Sequence, residues 1–241
     1  FIMPNLSNQL LELMRESSKE LIKIYHHQNS SRVPLKIPTD KNQDKRISEQ
    51  ELRFTMTCLF KEVCYTGLTF SVETPTKKPG LYGKRKSAAS TDVTIYYNED
   101  QLNVELKANQ PTPQAVDKDI KKLCKENIKG AWCHVFRNED SATVKTLFNK
   151  FIESIIEHFD SQNPNEISFH ILILGSKTLL SKKGNRSVWL KFAEIHRQGD
   201  DDLSREWLKQ NIFCLEYKQW KKLKGDTNYP DLGSGWLIRK Y

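Results

Sequence analysis

The sequence predicts an α/β protein in which a mixed central sheet is flanked by helices. Three observations carry this reading. Residues Thr91 to Lys107 alternate as two strands about a polar turn. Phe169 to Leu174 is a continuous apolar run, the signature of a strand covered on both faces. Between and around them, apolar residues recur at helical spacing.

At 241 residues the chain has the length of one elaborated domain or two small ones. Hydrophobic content of 37% and a charged fraction of 28% suit a soluble globular protein. A net charge of +8 favours a polyanionic partner. Five scattered cysteines include no Cys-x-x-Cys pair, so neither a zinc site nor a disulfide framework is expected. They read as buried thiols in a reducing, cytoplasmic compartment. No apolar run is long enough to span a membrane, and no signal peptide is present. The chain begins with Phe1 rather than methionine, as a fragment or processed chain would.

In order, residues 5–28 form an amphipathic helix with Leu6, Leu10, Leu13, Met14, Leu21 and Ile24 on one face and Ser7 as its cap. A polar segment with Pro34 and Pro38 follows, closing an N-terminal region of residues 1–44. A second helix spans Ser48 to Val63, with Leu52, Met56, Leu59 and Phe60 apolar. Ser48 and Glu51 have capping-box spacing. Glu49 lies three residues before Leu52 and seven before Met56, so it faces the buried side, where a carboxylate needs a partner.

Leu68 to Glu73 is a strand, and Pro75 to Lys86 is a loop carrying Lys84, Arg85 and Lys86, suited to a phosphate backbone. After the hairpin, a helix from about Gln114 to Asn127 turns Ala115, Ile120, Leu123 and Cys124 inward and Lys118, Lys121, Lys122 and Lys125 outward. A strand at Ala131 to Phe136, a helix from Ala142 to Phe159 and a strand from Ile167 to Leu174 complete a central region of residues 45–175. His170 in the last strand reads as a core histidine. Residues 176–241 are an α/β extension packed on that core. It has a basic loop to Arg186, a helix from Trp189 to His196, a capping loop at Asp200 to Asp202, a helix from Leu203 to Asn211 and a strand from Phe213 to Trp220.

The charges of the hairpin define the candidate site. Asp92 opens one arm, while Glu105 and Lys107 close the other on a shared face. Antiparallel pairing brings the three to one end of the sheet. Two carboxylates can hold Mg²⁺ or Mn²⁺, and a nearby lysine can position or help deprotonate a water aimed at a phosphodiester. The structural alternative is an exposed hairpin with a cross-strand ion pair.

Asp92 followed by Glu105-Leu106-Lys107 resembles the PD-(D/E)XK nuclease superfamily, with Thr91 where the motif's proline usually stands. The order helix, three strands, helix, strand is similar to that superfamily's restriction-endonuclease-like core. The resemblance covers roughly residues 45 to 137. It implies a Mg²⁺-dependent (or Mn²⁺-dependent) endonuclease acting on DNA. Asp92, Glu105 and the backbone carbonyl of Leu106 would hold the metal, and Lys107 would orient or activate water. Glu49, with Glu51 as the alternative, would supply a further carboxylate from the preceding helix. Gln110, Gln114 and Lys118 would support the site from beside the metal, as polar or basic residues of the helix after the hairpin do in many superfamily members. The resemblance is compatible with a homodimer or larger complex. It also suggests restriction, anti-phage defence or a mobile element as the setting. Two other functions remain open: a non-catalytic nucleic-acid-binding or assembly module on the same fold, and an RNA-cleaving enzyme.

Overall fold

The computed structural model describes residues 4–26, 31–39, 41, 45–77, 89–126, 128–138, 141–158, 167–176, 186–191 and 237–240. The elements run α1 (Leu6–Tyr25), α2 (Glu49–Val63), β1 (Thr69–Pro75), β2 (Ser90–Tyr97), β3 (Asp100–Ala108), α3 (Pro113–Lys125), β4 (Lys129–Asn138), α4 (Ser141–His158), β5 (Ile167–Ser176), β6 (Arg186–Lys191) and β7 (Leu237–Lys240). The strands lie side by side in sequence order. β3, β4 and β5 are parallel, joined through α3 and α4, while the pairs on either side are antiparallel. The sheet is therefore mixed and flanked by helices, as the sequence predicts.

Period-two alternation decides which residues face which layer. Leu102, Val104 and Leu106 of β3, with Ala131, Cys133 and Val135 of β4, join one core under α1 and α2. The opposite face of β4 carries Trp132, His134 and Phe136, and α4 covers it. Phe151 of α4 packs edge-on to Trp132 at 4.8 Å and against Phe169 of β5 at 5.0 Å. On β3 this second face is polar: Asn103, Glu105 and Lys107 lie here, beneath α3. Asn103 and Thr94 of β2 meet there through a buried side-chain hydrogen bond of 3.1 Å.

Helix starts follow local chemistry. The side chain of Asn5 accepts from the backbone N–H groups of Ser7 and Asn8 and caps α1. Ser7, the expected cap, is instead buried in the first turn. The α2 capping box forms as predicted, with Ser48 and Glu51 serving each other's backbone. The α1 helix belongs to the main core, and Glu20, nearly inaccessible, fastens residue 32 to it. Arg32 N–H donates to Glu20 Oε2 at 2.8 Å, and its guanidinium pairs with Glu20 Oε1 at 3.1 Å. The hairpin turns through Asn98 at a φ of 51°, in the left-handed region Asn tolerates, and Asp100 already belongs to β3.

One predicted element is overturned. The helix expected from Trp189 to His196 is contradicted at its start, where residues 189–191 belong to strand β6, whose Leu172↔Trp189 and Ile171↔Leu190 registers bind it to β5; residues 192–196 lie outside the described residues. Pairing with a distant strand outweighs the local helical pattern. Strand β7 was not foreseen either. The expected segments 200–202, 203–211 and 213–220 lie outside the described residues.

The α3 helix sits close on the sheet at Gly130. A Cβ there would lie 3.1 Å from Leu123 Cδ2 and 3.2 Å from Leu123 Cβ, tighter than ordinary packing. Gly130→Ala is expected to cost roughly 1–3 kcal/mol through this overpacking, read as a lowered urea midpoint.

Candidate metal and phosphodiester site

The hairpin brings its charged ends together as antiparallel pairing requires. Asp92 Oδ2 accepts the backbone N–H of Leu106 at 2.7 Å, which fixes this carboxylate beside Glu105 on the next strand. Glu105 is 1% exposed and lies under α3. Lys107, two residues on, shares that face. Its ammonium lies 2.9 Å from Asp119 Oδ2 and 3.8 Å from Glu49 Oε2. Glu49 thus reaches the cluster from the start of α2. The other candidate, Glu51, is spent on the helix cap, accepting from Ser48 N–H at 2.7 Å. Glu49 is half-exposed, less buried than its helical position suggests.

Two residues escaped the sequence reading. Asp119 and Lys122 of α3 are buried at the centre of the cluster. Lys122 Nζ stands 2.8 Å from Glu105 Oε1 and 3.0 Å from Asp119 Oδ1, and it donates to the carbonyl of Ser90 at 2.9 Å. The expectation that Lys122 lies on a solvated helix face is therefore wrong: α3 lies over the polar part of β3 and offers its lysine a buried partner. A signal was present. Val116, Asp119, Ile120 and Leu123 form one core stripe at helical spacing, which puts a carboxylate where an apolar residue belongs. Lys118 is exposed on the same helix, and Gln114 is exposed at its start. Gln110 borders a separate cleft with Phe136 and Lys150. Lys84, Arg85 and Lys86 lie outside the described residues.

The electrostatics follow from burial competing with pairing. Burial lifts Glu105 well above the ordinary carboxylate value of 4.5, and the neighbouring Asp119 charge adds to this, while Lys122 opposes it. Burial also raises Glu49, against the pull of Lys107. Burial penalises the Lys107 ammonium, but Asp119, Asp92 and Glu49 outweigh it and raise its pKa. Burial likewise works against Lys122, and Glu105 and Asp119 prevail. Both lysines are thus held as cations. Removing either ammonium would leave buried carboxylates uncompensated, at a cost of about 3–5 kcal/mol, far more than for a surface pair.

The donor set suits a hard divalent cation: carboxylate oxygens from two strands and two helices, and no thiolate. Glu105 Oε1 is buried, with Lys122 Nζ at 2.8 Å. A carboxylate oxygen carries two lone pairs, so the Lys122 contact leaves it able to meet a second group. Four carboxylates against two ammonium groups leave the cluster acidic when all are ionised. These residues fit a metal, yet the carboxylates are not closed around one point. Among the described residues, the group of three whose ligand atoms all lie within 4.8 Å of one another is elsewhere: Asp117, Glu157 and His158. That group could hold a metal. Its shortest contact, His158 Nε2 to Asp117 Oδ1 at 2.7 Å, is also a clasp between α3 and α4.

Beneath the site, His134 is wholly buried. Its Nε2 donates to the carbonyl of Asn109 at 2.7 Å, and Trp132 Nε1 donates to its Nδ1 at 3.4 Å. These partners select the neutral Nε2–H tautomer, and burial pulls the pKa down to about 3. The unfolded chain takes up a proton below its ordinary 6.5, whereas the folded imidazole does not. The contribution of His134 to stability is therefore complete above pH 6.5 and declines as pH falls toward 3. In a side-chain NMR titration, His134 should remain neutral from pH 8 down to about 5. A midpoint near 6.5 would contradict this. His170, in contact with Ser168 Oγ at 3.3 Å, is a buried core residue as expected.

Of the cysteines, Cys124 and Cys133 are buried, Cys64 is half-buried and Cys58 is exposed, so the expectation of buried thiols fails for Cys58. None of these four is in a disulfide, and Cys214 lies outside the described residues. Among the described residues, no helix is long and apolar enough to cross a membrane.

No family model matches the chain, and no curated protein matches it. Among solved structures, SfsA of Pyrococcus furiosus in complex with Ca²⁺ is similar in part, with 13% identity and a TM-score of 0.28. The match covers 62% of this chain and 63% of SfsA, so the chain spans under two thirds of that structure's length.

Proposed function

We propose that the chain is a metal-dependent nuclease of the PD-(D/E)XK type that hydrolyses DNA phosphodiesters. The observation that carries the reading is the buried Glu105, paired with Lys122, held beside Asp92 and facing the same way as Lys107. A purely binding surface gains nothing from carboxylates placed where phosphates must approach.

Asp92, Glu105 and the Leu106 carbonyl are the residues that would hold Mg²⁺ or Mn²⁺, with Glu49 completing the set directly or through water. The bound cation would offset phosphoryl charge and supply an acidified water. Asp92 is held through Oδ2 by the Leu106 N–H, and its other oxygen would meet the cation. Lys107, kept cationic by Asp119, orients the attacking water and a phosphate oxygen; an ammonium with a raised pKa does not remove the proton. The net charge of +8 draws the polyanion in, and Lys118 with Lys84, Arg85 and Lys86 provides backbone contacts. A homodimer or larger complex and a setting in restriction, anti-phage defence or a mobile element belong to this proposal by analogy with the superfamily.

The test is incubation of plasmid and single-stranded DNA with Mn²⁺ or Mg²⁺, wild type beside Glu105→Ala and Lys107→Ala. Metal-dependent cutting by wild type and not by the folded variants is expected. Folded wild type that binds DNA in EDTA and never cuts would favour a binding module. Cutting of RNA alone would move the substrate and leave the site unchanged.

A further inference from the structure

The geometry points to Lys122 as an internal counter-cation that occupies the cation demand of Glu105 and Asp119 and must release Glu105 when a metal enters. The inference rests on the metal-site reading of Glu105. Lys122 Nζ has three oxygen neighbours from three places in the chain, at 2.8 Å (Glu105), 3.0 Å (Asp119) and 2.9 Å (the Ser90 carbonyl). An ammonium ringed by oxygens on a β3 carboxylate, an α3 carboxylate and a β2 carbonyl stands where a cation would be coordinated.

Lys122 donates to the Ser90 carbonyl and pairs with both Glu105 and Asp119. Glu105 is the partner a metal would claim, since it stands beside Asp92. Asp119 is shared, with Oδ1 toward Lys122 and Oδ2 toward Lys107. When Lys122 lets go of Glu105 it keeps Asp119 and Ser90, so it is not stranded as a buried lone charge. The wedge also accounts for the open spacing of the carboxylates: an ammonium lies between Glu105 and Asp119. Lys122 is a positioning residue here. It keeps a buried acidic pocket assembled without metal and competes with metal for one oxygen.

The experiment is Mn²⁺ titration by calorimetry, with melting temperatures in EDTA and in Mn²⁺, for wild type, Lys122→Met, Lys122→Arg and Glu105→Gln. Lys122→Met is expected to melt about 5 °C or more below wild type in EDTA. It should gain more from Mn²⁺ than wild type does and bind Mn²⁺ about tenfold more tightly, since one repelling charge is gone. Lys122→Arg keeps the charge and should stay within about threefold of wild type. Lys122→Met that folds only with Mn²⁺ present also supports the role. The pair Asp119→Asn and Asp119→Asn with Lys122→Met guards against misfolding. The second removes one charge of each sign, and it should bind Mn²⁺ more tightly than the first. Mn²⁺ affinity in Lys122→Met equal to or weaker than wild type overturns the inference, as does failure of both methionine variants to fold with Mn²⁺. Wild type whose Mn²⁺ binding is lost in Glu105→Gln, with Lys122→Met unchanged, overturns the Lys122 role alone. Wild type and Lys122→Met that both bind no Mn²⁺ overturn the metal-site reading with it.

Discussion

Glu105→Gln is expected to lower DNA cleavage by about 10³-fold or more, while making the metal-free protein more stable than wild type at pH 9. The two effects have one cause. Burial favours the neutral form of the wild-type carboxyl, and its folded pKa lies above 4.5. The contribution of Glu105 to stability is therefore complete below pH 4.5 and is lost as pH rises through its folded value. Glutamine keeps the shape of the neutral acid and cannot ionise, so the variant avoids that loss. It also lacks the anionic oxygen a divalent cation needs. Urea unfolding in EDTA at pH 5 and pH 9, beside a plasmid assay, separates the effects. A variant that is inactive and also less stable at pH 9 would show that the Lys122 pair, rather than the buried charge, dominates. Because cation binding requires the ionised carboxylate, wild-type Mn²⁺ affinity should rise with pH over the same range.

Lys107→Met should lose about 10²–10³-fold in kcat, whereas Lys107→Arg should retain a measurable part of it. The physical ground is the raised pKa of Lys107, which Asp119, Asp92 and Glu49 hold above the usual lysine value despite burial. A group that stays protonated across the working range contributes charge and position, and arginine supplies both imperfectly. The pH–rate profile of wild type should therefore show no rising limb assignable to Lys107 below about pH 10. Steady-state kinetics on a short duplex from pH 6 to 10 checks this. A dead Lys107→Arg, with wild-type activity still climbing at pH 10, would instead make the free amine the base.

Much of this architecture is legible in the chain because it depends on short-range repetition. The hairpin from Thr91 to Lys107 follows from β-branched alternation, and its antiparallel pairing alone requires Asp92 to approach Glu105. The preference for Glu49 over Glu51 follows from the capping box, whose Ser48–Glu51 bonds leave Glu51 no reach toward the sheet. The start of α1 was misread because Asn5 and Ser7 are both good caps and only backbone geometry chooses between them. Residues 189–191 depart from the expected helix because strand β6 exists only by pairing with β5 and β7.

The sequence by itself determined the helix and strand periods, the order of elements from α1 to β5 and the acid–acid–lysine set at the end of one hairpin. Tertiary structure alone decided which other charges meet that set. Lys122 reads as one more lysine on a basic helix until α3 is laid across the polar face of β3. There, Glu105 and Asp119 turn a solvated side chain into a buried one. The reason is that a side chain's period depends on its own backbone, whereas the balance between desolvation and pairing depends on every element packed against it.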